Sequence, residues 1–237
     1  MTIQVGMIGT DGLLIAGDTR WTNTPALTNR NWAGGRFGHN ASKITIVQEQ
    51  GAAISCARSM DTARHISNKI IAALPHTETA ERPLLIERMG KEVLDASSEK
   101  LDAQCLIAFA HPVPQLFLFQ YATINEKWSA FCQKMETIAI AGDNVNAAIF
   151  WAERYYRPRS VELLIPLATH LVVSAERLNT GTISGLEIVT CTDKGIRRLS
   201  DESINRLRAQ SEEWDRSMGE LFLNHREQFS YSPNVIG

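Results

Sequence analysis

The sequence predicts an α+β fold, a four-layer αββα sandwich, from three observations. Short β-rich segments bounded by turn residues recur at the start, middle and end of the chain. Two pairs of segments with apolar residues three and four apart separate them. The resulting order is strands, two helices, strands, two helices, strands. Two antiparallel sheets stacked face to face, each covered outside by the helix pair that follows it, bury every apolar face in that order.

Taken along the chain, Ile3 to Ile8 alternates, Asp11-Gly12 is a hairpin turn, and Leu13 to Ala16 resumes as an apolar strand. Thr19 to Ser42, rich in Asn, Thr and Gly and including Ala33-Gly34-Gly35, has no sustained period and is expected to be a long surface loop. Lys43 to Val47 and Ala52 to Cys56 form a second hairpin across Glu49-Gln50-Gly51, so four strands precede any helix. Asp61 to Leu74 carries Ala63, Ile66, Ile70 and Ala73 on one face, and Pro83 to Leu101 carries Leu85, Met89, Val93 and Leu94.

Strands return at Cys105 to Ala110, Leu116 to Tyr121, Trp128 to Phe131 and Thr137 to Ala141. Asn144 to Tyr156 and Ser160 to Arg177 are helical by periodicity and are separated at Pro158. Gly185 to Cys191 and Ile196 to Leu199 pair across Asp193-Lys194-Gly195. A last helix over 200–226, capped by Ser200 or Asp201, lines up Ile204, Leu207, Ser211, Trp214, Met218 and Leu221. That stripe suits either the chain's own core or a neighbouring subunit. Residues 227–237 are a tail. Without a linker or an internal repeat, residues 1–237 are expected to form a single domain.

Composition narrows the function. Hydrophobic residues make up 44% and charged residues 21% of 237, the balance of a globular chain with a sizeable core. A net charge of -2 with both signs scattered offers no basic stripe for nucleic acid. No secretory signal opens the chain and no apolar run approaches the roughly 20 residues that cross a bilayer, so a cytoplasmic protein is expected. Cys56, Cys105, Cys132 and Cys191 lack metal-ligand spacing and are expected to be reduced core residues. The glycine-rich phosphate loop, His-Glu-x-x-His, Gly-x-Ser-x-Gly and paired-cysteine zinc motifs are all missing. No metal or organic cofactor is called for.

What remains is at the start: Thr2-Ile3-Gln4-Val5-Gly6, then Asp11-Gly12, then Leu14-Ile15-Ala16-Gly17-Asp18-Thr19-Arg20. This resembles the first hairpin of proteasome β-subunits and of their bacterial relatives HslV, Anbu and the betaproteobacterial proteasome homologue, all N-terminal-nucleophile hydrolases. The resemblance places Thr2 on the catalytic threonine, Asp18 on the active-site aspartate and Arg20 on its companion arginine. Lys43, opening the strand Lys43-Ile44-Thr45-Ile46, falls on the catalytic lysine. It extends in element order over residues 2–199 and is sharpest in the first sixty.

Departures follow. Ala57 stands where the family has the glycine whose amide forms the oxyanion hole; alanine would be strained in a conformation suited to glycine. Gly142-Asp143-Asn144 replaces a Gly-Ser-Gly, and Gly181-Thr182-Ile183-Ser184-Gly185 keeps the family's serine as Ser184 but lacks its second aspartate. By position, Trp21, Thr45, Ser55 and Ser59 would line the substrate pocket.

The resemblance implies a threonine-type endopeptidase subunit of a homo-oligomeric ring, stacked as a double ring, acting on polypeptides with an unfolding ATPase as a further partner. Removal of Met1 would free the Thr2 α-amine, whose reference pKa near 8 leaves it partly neutral and able to act as base. A Lys43 ammonium beside it would lower that pKa, and Asp18 would hold Lys43 charged. His39, His65, His76, His111, His170 and His225 are then left to structural or surface roles. Two alternatives stand beside this reading: a non-catalytic ring subunit, and an amidase of the same chemistry acting on a small-molecule amide.

Overall fold

The structure, a computed structural model, describes residues 2–23, 37–97, 101–124, 126–142, 146–179 and 182–224. In chain order the strands are β1 (Ile3–Gly9), β2 (Gly12–Gly17), β3 (Arg20–Asn23), β4 (Phe37–Asn40), β5 (Ile44–Val47) and β6 (Ala52–Arg58). Helices α1 (Met60–Ala73) and α2 (Arg82–Asp95) follow, then β7 (Ala103–Phe109), β8 (Gln115–Ile124), β9 (Lys127–Met135) and β10 (Ile138–Gly142). Helices α3 (Asn146–Tyr155) and α4 (Val161–Leu178), strands β11 (Glu187–Thr192) and β12 (Gly195–Arg198), and helix α5 (Asp201–Asn224) complete the order.

Two five-stranded antiparallel sheets result, ordered β10-β1-β2-β11-β12 and β5-β6-β7-β8-β9. Their facing surfaces meet in a core of Leu13, Ile15, Val189 and Cys191 against Ala53, Ala57, Leu106 and Leu116. Outside the second sheet, Ala63, Ile66 and Ile70 of α1 and Leu85, Ile86 and Met89 of α2 pack on Phe109, Phe117 and Phe119. Outside the first, Leu164, Leu171 and Val172 of α4 pack on Ile3, Val5, Met7 and Leu14. The αββα order is therefore helices, sheet, sheet, helices. Phe119 is completely enclosed, and its replacement by Ala would cost roughly 3–5 kcal/mol.

Each sheet draws strands from both halves of the chain, so the opening hairpin and the β5–β6 hairpin lie in different sheets. That separation puts the end of β2 in one sheet and the start of β5 in the other. The turn residue Asp11 has a second role: its Oδ1 accepts the Val161 amide at 2.7 Å, capping α4 where Ser160 makes no side-chain cap.

Three expectations need correction. Thr19 to Ser42 is not a loop throughout, because β3 and β4 pair as a ribbon with Trp21 opposite His39. These strands are short and not apolar-alternating, and backbone pairing leaves little trace in such a pattern; Ala33-Gly34-Gly35 lies outside the described residues. Helix α2 ends at Asp95 rather than Leu101, where the apolar stripe stops after Leu94. β9 runs on to Met135, paired with β8 well beyond Phe131.

All four cysteines are free and buried. Burial pushes the Cys132 and Cys191 thiols up to about 12, which keeps them protonated.

Candidate active site

Three side chains from three segments converge where the end of β2 meets the start of β5. The Thr2 hydroxyl donates to Asp18 Oδ1 at 2.6 Å and accepts from Lys43 Nζ at 2.5 Å. Lys43 Nζ closes the triangle on Asp18 Oδ2 at 2.8 Å. The strands explain the convergence. Thr2 directly precedes β1, Asp18 directly follows β2, and Lys43 directly precedes β5, so each side chain leaves the end of a rigid element. Asp18 is held in place by the Ile3 amide on Oδ1 at 2.9 Å and the Arg20 amide on Oδ2 at 3.2 Å.

The site is dry. Thr2 is 4% exposed, Lys43 3% and Asp18 0%. A buried ion pair adds little net stability, since desolvation offsets its attraction. Its value is to hold charge in a fixed place beside a hydroxyl. The Lys43 ammonium also stands 4.8 Å from the ring centroid of Trp21, whose ring carries the Arg64 guanidinium at 5.6 Å. Trp21 is thus brought to the site through Lys43.

Other expected residues sit further out. Ser184 meets the site through its backbone, its carbonyl accepting the amides of Thr19 and Arg20 at 3.1 Å. Thr45 is exposed on β5, and Ser59 is exposed ahead of α1 with its hydroxyl on Thr62. Ser55 is fully enclosed, between Ile44 and Leu106 in the register, and its hydroxyl has no partner among the described residues. Met1, Asp143, Asn144 and Gly181 lie outside the described residues.

Ala57 differs from expectation. It lies within β6 opposite Gln104 and does not take a left-handed conformation, so the expected strain is not there. The left-handed residue is the next one, Arg58, at φ 68°. Strand parity adds to this. The Cys56 amide donates to the Lys43 carbonyl at 3.0 Å, so alternation turns the Ala57 amide toward β7 and the Arg58 amide toward the Lys43 side. A left-handed non-glycine residue costs about 1–2 kcal/mol. Its place beside a candidate nucleophile fits the way such strain gathers at functional sites.

Sequence reasoning missed several supports. Gln104 of β7 accepts the Gly142 amide at 2.6 Å, tying the end of β10 to the opposite sheet. Gly142 itself, at φ 124°, is needed because a Cβ there would strike the Thr2 carbonyl. Glu187 and Arg198 grip the start of β5. The one signal for Glu187 was an acidic residue inside an otherwise apolar strand; Gln104 gave none.

No family model matches the sequence, and no curated protein matches it. Solved structures do. Alignment with Anbu (ancestral β-subunit) from Yersinia bercovieri covers 100% of both chains at 13% identity and TM-score 0.72. The helical assembly of the Anbu complex from Pseudomonas aeruginosa aligns over 100% of both chains at 14% identity and TM-score 0.70. An Anbu mutant from Hyphomicrobium sp. aligns over 95% of this chain and 100% of its own, at 14% identity and TM-score 0.70. The chain therefore has the αββα sandwich fold of the Anbu structures. No helix of the described residues is long and apolar enough to cross a membrane, and none of their His, Cys, Asp and Glu residues group into a metal site.

Proposed function

We propose that the chain is a threonine-type endopeptidase subunit of a self-assembled ring, with Thr2 as nucleophile once Met1 is removed. The observation that carries this reading is the closed Thr2–Asp18–Lys43 triangle. Its hydroxyl is in contact with a fixed cation and a fixed carboxylate. A free α-amine on Thr2 would take the hydroxyl proton as Oγ1 bonds to the substrate carbonyl carbon. The resulting oxyanion would be met by a backbone N–H on the Lys43 side of β6, for which the Arg58 amide is oriented better than that of Ala57. Collapse breaks the amide C–N bond, the departing amine leaves with the proton, and water hydrolyses the ester left on Thr2.

In this reading Lys43 lowers the basicity of the α-amine by charge and Asp18 keeps Lys43 protonated. Trp21, Thr45, Ser55 and Ser59 remain the candidate pocket residues and Ser184 a support of the Asp18 loop. A polypeptide is the substrate, the location cytoplasmic, and the assembly a double ring with an unfolding ATPase as a further partner. Self-association has a physical basis in the exposed Phe150, Tyr155, Leu163, Trp214, Met218 and Leu221 on α3, α4 and α5. A Pseudomonas aeruginosa neighbour is itself described as a helical assembly.

The test is cleavage of a peptide library by protein whose N-terminus is Thr2, with light scattering on the same sample. Cleavage by a multimer is expected. A multimer that cuts nothing would favour the non-catalytic subunit, and hydrolysis confined to small amides would favour the amidase.

A further inference from the structure

Outside the triangle, a buried carboxylate is placed where the catalytic assignment alone does not require one. Glu187 opens β11, lies opposite Gly17 in the sheet and is 5% exposed. Gly17 is the residue before Asp18. From that position the carboxylate crosses to the other sheet. Oδ-type caps usually serve helices, but here Glu187 Oε1 accepts the Lys43 amide at 2.6 Å and the Ile44 amide at 3.1 Å. Oε2 accepts the Ser42 hydroxyl at 2.8 Å and the Arg198 guanidinium. Arg198, opposite Val189 on β12, returns to the same segment through the Ile44 carbonyl at 2.7 Å and the Ser42 hydroxyl at 3.0 Å.

Apart from the Glu187–Arg198 ion pair, every one of these contacts falls on residues 42–44. The segment opens β5 in one sheet, and both grips come from the other sheet. Since Asp18 belongs to the gripping sheet and Lys43 to the gripped segment, the pair sets the distance across which the ammonium meets Thr2 and Asp18. A carboxylate taking two adjacent backbone amides is a strong and directional anchor.

We infer that Glu187 and Arg198 form a positioning clasp that fixes Lys43 against Thr2 and Asp18. This rests on the reading of Thr2 as nucleophile. Neither residue touches the reacting atoms, so their effect passes through Lys43. Displacing a catalytic group by about 1 Å costs on the order of 10²-fold in rate. A displaced ammonium also lowers the basicity of the Thr2 amine less, so the amine's titration moves back up toward its reference near 8.

The experiment measures the rate at which an epoxyketone labels Thr2, as a function of pH, in protein whose N-terminus is Thr2. Wild type, Glu187→Ala, Glu187→Gln and Arg198→Met are compared. Glu187→Ala is expected to label on the order of 10²-fold more slowly, with its half-maximal rate at higher pH than wild type. Glu187→Gln keeps an acceptor for the two amides and is expected to recover most of the rate and the midpoint. Arg198→Met, the variant least exposed to folding failure, is expected to shift the midpoint the same way by less.

A wild-type midpoint in soluble Glu187→Ala overturns the clasp, whether or not rate is lost and whether or not Glu187→Gln recovers it. If Glu187→Ala does not fold, an unmoved midpoint in Arg198→Met overturns it equally. Wild type that does not label at any pH removes the underlying reading and the clasp with it, an outcome distinct from labelling that ignores Glu187.

Discussion

Among the described residues, two clusters of a hydroxyl, a basic group and a carboxylate differ in what surrounds them. Between the ends of β1, β2 and β5 these are Thr2, Lys43 and Asp18; between α4 and α5 they are Ser211, His170 and Asp215. The second set has the composition of a hydrolytic triad, with His170 Nδ1 at 2.9 Å from Ser211 Oγ and Nε2 at 3.7 Å from Asp215. Its partners are those of a contact between two helices. Ser211 is 1% exposed, Asp215 is ion-paired to Arg177, and the half-buried imidazole meets the rings of Trp151 and Trp214 edge to face. At Thr2, by contrast, the hydroxyl stands just ahead of a strand, and both oxygens of the Asp18 carboxylate are aligned by backbone amides. Residue inventory does not separate the two clusters. What each group is already bonded to does.

The widest gap between the two should come from removing each hydroxyl. Thr2→Ala is expected to abolish covalent labelling and hydrolysis, a loss of 10³-fold or more typical of a nucleophile that acts as a unit with its base. Ser211→Ala should leave both rates within about twofold, since surroundings away from the chemistry rarely move them further. Assays of the two variants side by side check this, and equal losses would erase the distinction.

Next in size is Lys43. Lys43→Met should lower the labelling rate by on the order of 10²–10⁴-fold. It also strands a buried Asp18 charge, at a stability cost of about 3–5 kcal/mol. Lys43→Met with Asp18→Asn should regain much of that stability in thermal melts yet none of the activity. Activity regained with stability would mean the triangle is a folding feature only.

Much of the fold could be read from the sequence because its core faces obey simple periods. The alternation of Ile3 to Ile8 and the spacing of Ala63, Ile66 and Ile70 each encode one buried face, and those faces pack where expected. The β3–β4 ribbon could not be read that way, since backbone pairing holds it and its residues carry no period. The last helix divides. Ile204 and Ser211 are buried on the chain's own core, while Trp214, Met218 and Leu221 remain exposed, so one stripe serves two environments. For the site, Thr2, Asp18 and Lys43 stood at strand ends in a recognisable order. Arg58 did not stand out, because a left-handed backbone has no local sequence signature, and the acidic residue in an apolar strand that marks Glu187 gave no hint of its contact across 144 residues.

The exposed half of that helix gives a third prediction. Trp214→Glu with Met218→Glu should dissociate the assembly by light scattering while the melting temperature of the subunit stays nearly unchanged, as surface substitutions usually cost within about 0.5 kcal/mol. Loss of folding instead would assign the stripe to the chain's own core. The smallest effect concerns His170, whose pKa burial pushes below its ordinary value, against the attraction of Asp215. A depressed histidine is neutral in the folded state, so its contribution to stability is present above the unfolded value near 6.5 and lost as pH falls below it. Denaturant titrations between pH 7 and 5 should show a shallower loss in His170→Gln than in wild type, with labelling at Thr2 unaffected.

The central claim is that a free Thr2 amine and the Thr2 hydroxyl act together at the triangle. Intact-mass spectrometry of the purified protein, before and after exposure to a threonine-directed epoxyketone, tests it most directly. The account predicts protein lighter by Met1 that gains one inhibitor per chain on Thr2, and a Thr2→Ala variant that loses Met1 and gains none. Full hydrolytic activity in chains that still carry Met1, or in Thr2→Ala, would contradict it.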